Sequence, residues 1–148
     1  MIKRIALGGD HAGYELKKTV VTYLTSLGIT VEDKGPHTPD SVDYPDFVHP
    51  VCDLVLQKEV DLGILICGSG NGVAITANKY DGIRCGLCWT PELASLTRQH
   101  NNANILAIPA RFIEEETAIA TIKSFLTSMF EGGRHERRVN KIVPLRSC

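Results

Sequence analysis

The stretch of sequence that decides the fold is an apolar run leading into a glycine-rich loop: Leu62-Gly63-Ile64-Leu65-Ile66-Cys67-Gly68-Ser69-Gly70-Asn71-Gly72. The run Leu62–Cys67 is uncharged and almost entirely apolar, which is typical of a strand buried on both faces of a parallel sheet. The small residues of Gly68–Gly72 predict a loop at the carboxyl end of that strand. Because ligands of open α/β sheets bind at the carboxyl ends of the strands, this stretch predicts a binding edge as well as a strand.

The same alternation of short apolar runs and amphipathic segments extends through the rest of the chain. Strands are predicted at Lys3–Gly9, Ile29–Lys34, Leu62–Cys67, Ile83–Cys88 and Asn104–Ile108. Helices are predicted at Ala12–Leu27, Pro45–Lys58, Val73–Lys79, Pro91–His100, Glu114–Phe130 and Arg134–Ile142. We therefore predict a single α/β domain over residues 1–148, a doubly wound three-layer sandwich with a five-stranded parallel, Rossmann-like sheet and a C-terminal basic helix.

For the first and second predicted helices, the sequence also predicts how each helix ends or begins. The apolar face of the first helix is expected to include Leu24 and Leu27, before Gly28 ends the helix. Pro50 lies inside the second predicted helix, where it is expected to delay or kink the start, because proline lacks the N–H of a helical hydrogen bond.

The composition excludes several classes of protein. The chain has 148 residues, of which 43% are hydrophobic and 22% charged, which excludes a disordered chain and a membrane protein. The stretch Leu62–Tyr80 contains one charged residue but is interrupted by glycines, so it does not predict a transmembrane helix. The N-terminal apolar run is too short for a signal peptide, and we expect a cytoplasmic protein.

The charge is small overall but unevenly distributed. A net charge of −1 argues against binding to nucleic acids or to membrane surfaces. Residues 131–148 nevertheless hold five basic residues and two acidic ones. Arg134 and Arg138 are four apart, so they share one face of a helix and could hold a phosphate between two guanidinium groups. The alternative is an ordinary solvated basic face.

Five scattered cysteines indicate a reducing compartment: Cys52, Cys67, Cys85, Cys88 and Cys148. The C-x-x-C spacing of Cys85 and Cys88 raises the question of a zinc or redox pair. Residues three apart on a strand point to opposite faces of the sheet. The pattern therefore favours two buried structural thiols.

Polar or reactive side chains follow the first and third predicted strands. Asp10 and His11 open a helix after a glycine pair, which indicates either an anion site or an aspartate-capped turn. Cys67 precedes a loop that matches neither a dinucleotide motif, nor a Walker A loop, nor a nucleophile elbow. The backbone N–H groups of this loop can converge on an anion, and a Cys67 thiolate beside them could act as a base. The alternative is a buried cysteine beside a packing loop.

A further polar cluster, Arg98–Asn102, lies near the end of the fourth predicted helix. Its imidazole, on His100, could transfer protons near neutral pH. The alternative is an ordinary helix C-terminus, where histidine and asparagine are common.

Taken together, the sequence resembles the ribose/galactose isomerase family of sugar-phosphate isomerases, in particular its type B ribose-5-phosphate isomerases. The stretches that carry the resemblance span the whole chain: Gly9–Gly13, Ser41–Pro45, Cys67–Gly72, Ala77–Lys79, Arg98–Asn104 and Gly132–Arg138. The resemblance implies interconversion of D-ribose 5-phosphate and D-ribulose 5-phosphate through an enediolate, in the pentose phosphate pathway, without metal or organic cofactor.

The resemblance also implies a role for each site residue. Cys67 would be the base and His100 would promote ring opening, with Asp10 and Ser69 assisting. The substrate-binding set would be Asp10, His11, Tyr44, Gly68, Ser69, Gly70, Asn71, Gly72 and Asn101. The phosphate-binding set would be His11, Arg111, Arg134 and Arg138. Some members of the family use a glutamate after the glycine loop instead of the cysteine. Val73 stands at that position here, although the loop sequence is like that of the glutamate-using branch.

The predicted topology places His100 far from Cys67. His100 precedes the fifth strand, whereas Cys67 ends the third, so the two lie at opposite edges of a parallel sheet, separated by roughly 17 Å for a five-residue strand. We therefore predict that His100 and Asn101 reach the site from a second subunit across a two-fold interface. The resemblance likewise implies a homodimer, or two dimers paired as a tetramer.

Three other functions remain as alternatives. The chain could isomerise a six-carbon sugar phosphate such as allose 6-phosphate or galactose 6-phosphate. It could be a non-catalytic phosphosugar-binding subunit, although such a subunit has no need of a base. It could also be a flavodoxin-like carrier, but the loop after the first strand is not rich in serine and threonine.

Overall fold

The computed structural model describes residues 1–143, so Arg146 and Cys148 lie outside the described part of the chain. Five parallel strands form one sheet in the order β2-β1-β3-β5-β4. Their bounds are Arg4–Gly9 (β1), Thr30–Asp33 (β2), Leu62–Cys67 (β3), Cys85–Leu87 (β4) and Ile105–Pro109 (β5). The predicted strand count, order along the chain and parallel pairing are confirmed.

Six α-helices connect and follow the strands within residues 1–143. They are Tyr14–Ser26 (α1), Pro45–Leu56 (α2), Asn71–Ala77 (α3), Pro91–Asn101 (α4), Glu115–Thr127 (α5) and Arg134–Val139 (α6). A 3₁₀ turn, His11–Gly13, precedes α1. None of the helices in this part of the chain is long and apolar enough to cross a membrane.

The sheet is covered on both faces, because alternate residues of each strand point to opposite sides. On one face, Leu7, Ile64 and Leu106 belong to an apolar cluster that α1, α4 and α5 complete. On the other, Leu65 and Ala107 belong to a cluster shared with α2 and α3. These are the three layers that the sequence predicts.

The order of the strands places a crevice between β1 and β3. The chain continues from β1 to β2 at one edge of the sheet, and from β3 toward β4 and β5 at the other. The intervening helices therefore lie on different faces, and the carboxyl ends of β1 and β3 are left uncovered between them. Asp10 follows β1 and Cys67 ends β3, so both lie at this crevice.

Several predicted details of the elements are wrong. Helix α3 begins at Asn71, two residues earlier than predicted, because Gly70 adopts a left-handed conformation that turns the chain into the helix. Leu27 follows the end of α1 and is exposed, so it is not part of the apolar face. Pro50 does not delay α2, which starts at Pro45, where a proline is favoured.

The C-x-x-C pair lies at an edge of the sheet. Strand β4 ends at Leu87, before Cys88, and pairs only with β5. Cys88 is buried as expected, whereas Cys85 is half-buried. All four cysteines in the described residues are free thiols: Cys52, Cys67, Cys85 and Cys88.

Candidate active site

The carboxyl ends of three neighbouring strands are joined by backbone hydrogen bonds. The Asp10 N–H donates to the Ile66 carbonyl at 3.1 Å, the Ala110 N–H to the Cys67 carbonyl at 2.9 Å, and the Arg111 N–H to the Gly68 carbonyl at 3.0 Å. These bonds hold the segments after β1, β3 and β5 around a cleft of about 430 Å³. We call it the Cys67 cleft, and its lining is Asp10, His11, Ala12, Tyr44, Cys67, Gly68, Ser69, Gly72, Arg111 and Phe112.

The Cys67 sulfur receives a backbone hydrogen bond inside this cleft. The Gly70 N–H donates to Sγ at 3.1 Å. Gly70 has a φ of +74°, a conformation that side chains other than hydrogen disfavour. A Cβ at this position would also overlap the Leu87 side chain. Glycine is therefore what lets the loop fold back and present an N–H to the Cys67 sulfur.

The other three described thiols are not suited to act as bases. Burial raises the pKa of Cys52 to about 12, and the charge of Asp53 adds to the effect. Burial also raises the pKa of Cys88 to about 12, and it raises the pKa of Cys85. These thiols stay protonated at neutral pH, so the structural interpretation of the C-x-x-C pair stands.

Asp10 and His11 are held in place by backbone amides. Asp10 Oδ1 accepts hydrogen bonds from the Ala12 and Gly13 N–H groups at 2.9 and 3.3 Å, so the aspartate caps the 3₁₀ turn. The Val42 N–H donates to His11 Nδ1 at 3.3 Å. A neutral His11 ring must then carry its proton on Nε2, where it can donate to an oxygen of a ligand.

Tyr44 and the glycine loop pack against each other. A Cβ added at Gly72 would lie 2.5 Å from Cζ of the Tyr44 ring, so the ring rests directly on the loop backbone. In the loop itself, the Asn71 N–H donates to Ser69 Oγ at 3.3 Å. Eight of the predicted site residues thus line one cleft, and Gly70 and Asn71 shape its wall.

A second cleft of about 310 Å³ holds the remaining candidates. We call it the His100 cleft, and its lining is His100, Asn101, His135, Arg138, Val139 and Ile142. The His100 and His135 rings stack with their centroids 4.1 Å apart and their planes at 3°. Burial, with the neighbouring His100 and Arg134, lowers the pKa of His135 and so favours a neutral ring.

Within one chain, the two clefts share no lining residue. The sheet register gives the reason: Ile105 pairs with Gly63 at the amino edge, and Pro109 pairs with Cys67 at the carboxyl edge. His100 precedes Ile105, so it belongs to the amino edge, with about 13 Å of strand between the two edges. The structure therefore does not bring His100, Asn101 or Arg138 to Cys67. Arg134 is exposed and lines neither cleft.

Comparison with known proteins places the chain in a family. The family model described as Ribose/Galactose Isomerase matches residues 5–142. The chain belongs to the ribose/galactose isomerase family. It is 43% identical to ribose-5-phosphate isomerase B of Escherichia coli K12 over 97% of each chain.

Solved structures of the ribose/galactose isomerase family have the same fold. A ribose 5-phosphate isomerase of Thermotoga maritima is 50% identical, with a TM-score of 0.92 over 94% of this chain and 96% of that one. Ribose-5-phosphate isomerase B of Mycoplasma genitalium, crystallised with bound ribulose 5-phosphate, is 43% identical, with a TM-score of 0.91 over 96% and 95% of the two chains.

Three residues near the two clefts need separate mention: Val73, Glu131 and His135. Val73, the position at which the resemblance implies a glutamate in some family members, is fully buried in the core and does not line the Cys67 cleft. Glu131 and His135 carry no predicted role, yet both lie beside His100. The four-residue spacing of His135 and Val139 on one face of α6 is the signal that could have placed His135 inward.

Proposed function

We propose that this protein is an aldose–ketose isomerase that interconverts D-ribose 5-phosphate and D-ribulose 5-phosphate. The observation that carries the proposal is the Cys67 thiol at the end of β3, which accepts the Gly70 N–H in a cleft with Asp10, Tyr44 and Arg111. Relatives with this fold are ribose-5-phosphate isomerases, and one of them binds ribulose 5-phosphate.

Cys67 is assigned the proton transfer between C2 and C1. The thiolate removes the proton from C2 of the open-chain aldose, the C2–H electrons form the C1=C2 bond, and negative charge develops on O1. The proton of the O2 hydroxyl passes to O1, so that the charge of the enediolate moves to O2. The Cys67 thiol then returns its proton to C1 as O2 becomes the carbonyl oxygen. We assign the binding of the two oxygens, as charge develops, to backbone N–H groups of the loop Gly68–Gly72, assisted by Ser69.

Ring opening precedes this step, because the aldose is a furanose in solution. We assign the proton transfers of ring opening to His100, with Asp10 and the Nε2–H of His11 contacting the ring oxygen and the anomeric hydroxyl. Asn101 binds a sugar hydroxyl. The reaction needs no metal or cofactor in this scheme, since a base and a set of fixed donors suffice.

The phosphate does not react, so its binding energy can position the sugar. The structure divides the predicted phosphate ligands between the two ends of the sheet: His11 and Arg111 line the Cys67 cleft, whereas Arg138 lines the His100 cleft. We assign Arg134 to the second group, because it lies one helical turn from Arg138 on α6.

A complete site then requires two chains, one that supplies the Cys67 cleft and a partner that supplies the His100 cleft. Two aromatic rings beside the Cys67 cleft are exposed in the single chain, which supports the proposal that a partner chain covers this surface. Phe112, which is 59% exposed and lines the cleft, lies with its ring centroid 5.4 Å from that of Trp89, which is 41% exposed. We propose a homodimer with shared sites, alone or paired into a tetramer.

The free thiols Cys52, Cys67, Cys85 and Cys88 fit a reducing environment, and we propose that the enzyme works in the cytoplasm.

Replacement of the proposed base tests the function. Cys67→Ser is expected to lower kcat for ribose 5-phosphate at least a thousandfold and to leave the affinity for the sugar phosphate within threefold of wild type, because serine preserves the cleft but is a far weaker base. The matched control is Cys85→Ser, which replaces a thiol outside the cleft and should retain turnover. Full activity of Cys67→Ser would contradict the mechanism.

The same kinetic assay discriminates the substrate. We expect kcat/KM for ribose 5-phosphate to exceed that for allose 6-phosphate and galactose 6-phosphate. The reverse order would assign a six-carbon substrate. Binding of all three without turnover by the wild type would indicate a phosphosugar-binding subunit.

A further inference from the structure

Three side chains with metal-binding atoms meet at the His100 cleft. His100 lies at the end of α4, Glu131 lies in the loop before α6, and His135 is the second residue of α6. Their ligand atoms all lie within 4.8 Å of one another. Glu131 Oε2 is 3.5 Å from His135 Nε2 and 3.9 Å from His100 Nε2. One carboxylate oxygen is thus shared between two imidazole nitrogens.

These separations are close to those around a zinc ion. Tetrahedral zinc binds nitrogen and oxygen at about 2.0–2.1 Å, which spaces neighbouring ligand atoms about 3.4 Å apart. His135 is 8% exposed and is held in the protein, whereas His100 is 36% exposed. The His100 ring can therefore tilt out of the stack and bring its nitrogen toward the metal, while the other two ligands need little movement.

The chemistry of the three ligands selects the metal. Two imidazoles and one carboxylate suit zinc, as in catalytic zinc sites that leave a fourth position open. Magnesium and calcium prefer sets made only of oxygen ligands. The fourth position would face the cleft that Asn101 and Arg138 also line.

The backbone holds two of the three ligand-bearing segments together. The Glu131 N–H donates to the carbonyl of Gln99, the residue before His100, at 3.0 Å. The His135 N–H donates to the Gly132 carbonyl at 3.0 Å, which fixes the turn between Glu131 and α6. The positive charge of Arg138 repels a divalent cation and weakens its binding. We therefore expect reversible binding and not a permanent structural metal.

We propose that His100, Glu131 and His135 form an inhibitory zinc-binding site. The inhibitory part rests on the proposed function, because zinc would bind the imidazole assigned to ring opening. Zinc is here an inhibitor and not a cofactor, since the reaction scheme uses His100 free of metal. Turnover would fall as the concentration of free zinc rises and would recover when zinc is removed.

The binding test uses Zn²⁺ and Co²⁺ on the purified, metal-free full-length protein. We expect calorimetry to give one Zn²⁺ per chain, with Mg²⁺ giving no heat, and bound Co²⁺ to show the visible bands of a four-coordinate nitrogen and oxygen site. Glu131→Gln should weaken Zn²⁺ binding at least tenfold. The matched control is Glu136→Gln, an exposed glutamate of α6, which should bind as the wild type does.

Equal Zn²⁺ affinity of the two glutamine variants would overturn the site, as would a thiolate-to-cobalt charge-transfer band, which would assign the metal to cysteines. In kinetic assays, Zn²⁺ should inhibit the wild type, a chelator should restore turnover, and Glu131→Gln should resist inhibition. Zinc bound at these ligands without inhibition would overturn the inhibitory role and the assignment of ring opening to His100. The binding measurement stands whether or not Cys67 is the base.

Discussion

A single backbone N–H, that of Gly70, connects the conformation of the glycine loop to the proposed chemistry of Cys67. The N–H reaches Sγ because Gly70 has a positive φ and because Gly70 has no Cβ that would overlap the Leu87 side chain. Elsewhere in the chain, Gly28 has nearly the same φ, +76°, but a Cβ there would meet nothing within 4 Å. Substitutions at Gly28 and Gly70 therefore distinguish the effect of backbone strain, which both share, from the effect of contact with the site, which only Gly70 has.

Gly70→Ala and Gly28→Ala are therefore expected to differ. Gly28→Ala should lower the free energy of unfolding by about 1–2 kcal/mol, from the left-handed backbone alone, and leave kcat unchanged. Gly70→Ala should lose more stability, because its Cβ overlaps Leu87, and should lower kcat at least tenfold, because the N–H moves away from the thiol. Chemical denaturation and steady-state kinetics measure both. Equal kcat values for the two variants would show that the Gly70 N–H does not assist Cys67.

At the scale of elements, the amino ends of β1 and β3 are joined by one carboxylate. Asp61 Oδ2 accepts the N–H groups of Lys3 and Arg4 at 2.7 and 2.9 Å, and the Asp61 N–H donates to the Arg4 carbonyl at 2.9 Å. The two accepted hydrogen bonds are the main reason that the pKa of Asp61 is lowered. This junction sets the start of the two strands whose far ends form the Cys67 cleft.

Asp61→Ala is expected to lower the free energy of unfolding at pH 7 by about 1 kcal/mol, a modest value because the aspartate is exposed. A carboxylate with a lowered pKa stabilises the fold above its unfolded-state pKa, and the contribution is lost as the pH falls through the folded-state value. The deficit of the variant should thus shrink below about pH 4. Thermal denaturation across pH checks this, with exposed Asp81→Ala as control. A deficit independent of pH would contradict the assignment.

At the scale of the whole molecule, the proposed site is divided between two clefts that one chain cannot join. Strand β5 separates them, since Ile105 and Pro109 pair with opposite ends of β3. In the proposed homodimer, the subunit that supplies Cys67 takes His100 and Arg138 from a partner. In that homodimer the proposed zinc site lies on the subunit that supplies His100, and the Cys67 thiol of the same active site belongs to the other subunit.

Complementation between two inactive variants tests the shared site. Cys67→Ala and His100→Ala are each expected to lose turnover, and a mixture that is dissociated and reassembled should recover about a quarter of the wild-type activity. Random pairing makes half of the dimers hybrid, and each hybrid has one of its two sites intact. No recovery, despite hybrid dimers seen by native mass spectrometry, would place both residues in one site of one chain. Full activity of a dilute monomer would do the same.

The local pattern of the sequence was enough to determine the strands, their parallel pairing and the residues at their carboxyl ends. Apolar periodicity reports burial directly, and a residue that ends a strand must lie at the edge of the sheet, so the pattern alone places Asp10 and Cys67 at the same edge. The same argument places His100 at the opposite edge. Boundaries such as the start of α3 failed, because a left-handed glycine and not periodicity decides them.

Only the tertiary structure decided which side chains lie beside His100 and how the arginines are divided. Glu131 and His135 are 31 and 35 positions beyond His100, and their approach depends on how α6 packs against α4. The same holds for Arg111, which reaches the Cys67 cleft through the register of β5 on β3, and for Arg138, which lines the His100 cleft. Contacts between distant segments follow from the packing of whole elements, which local sequence patterns do not specify.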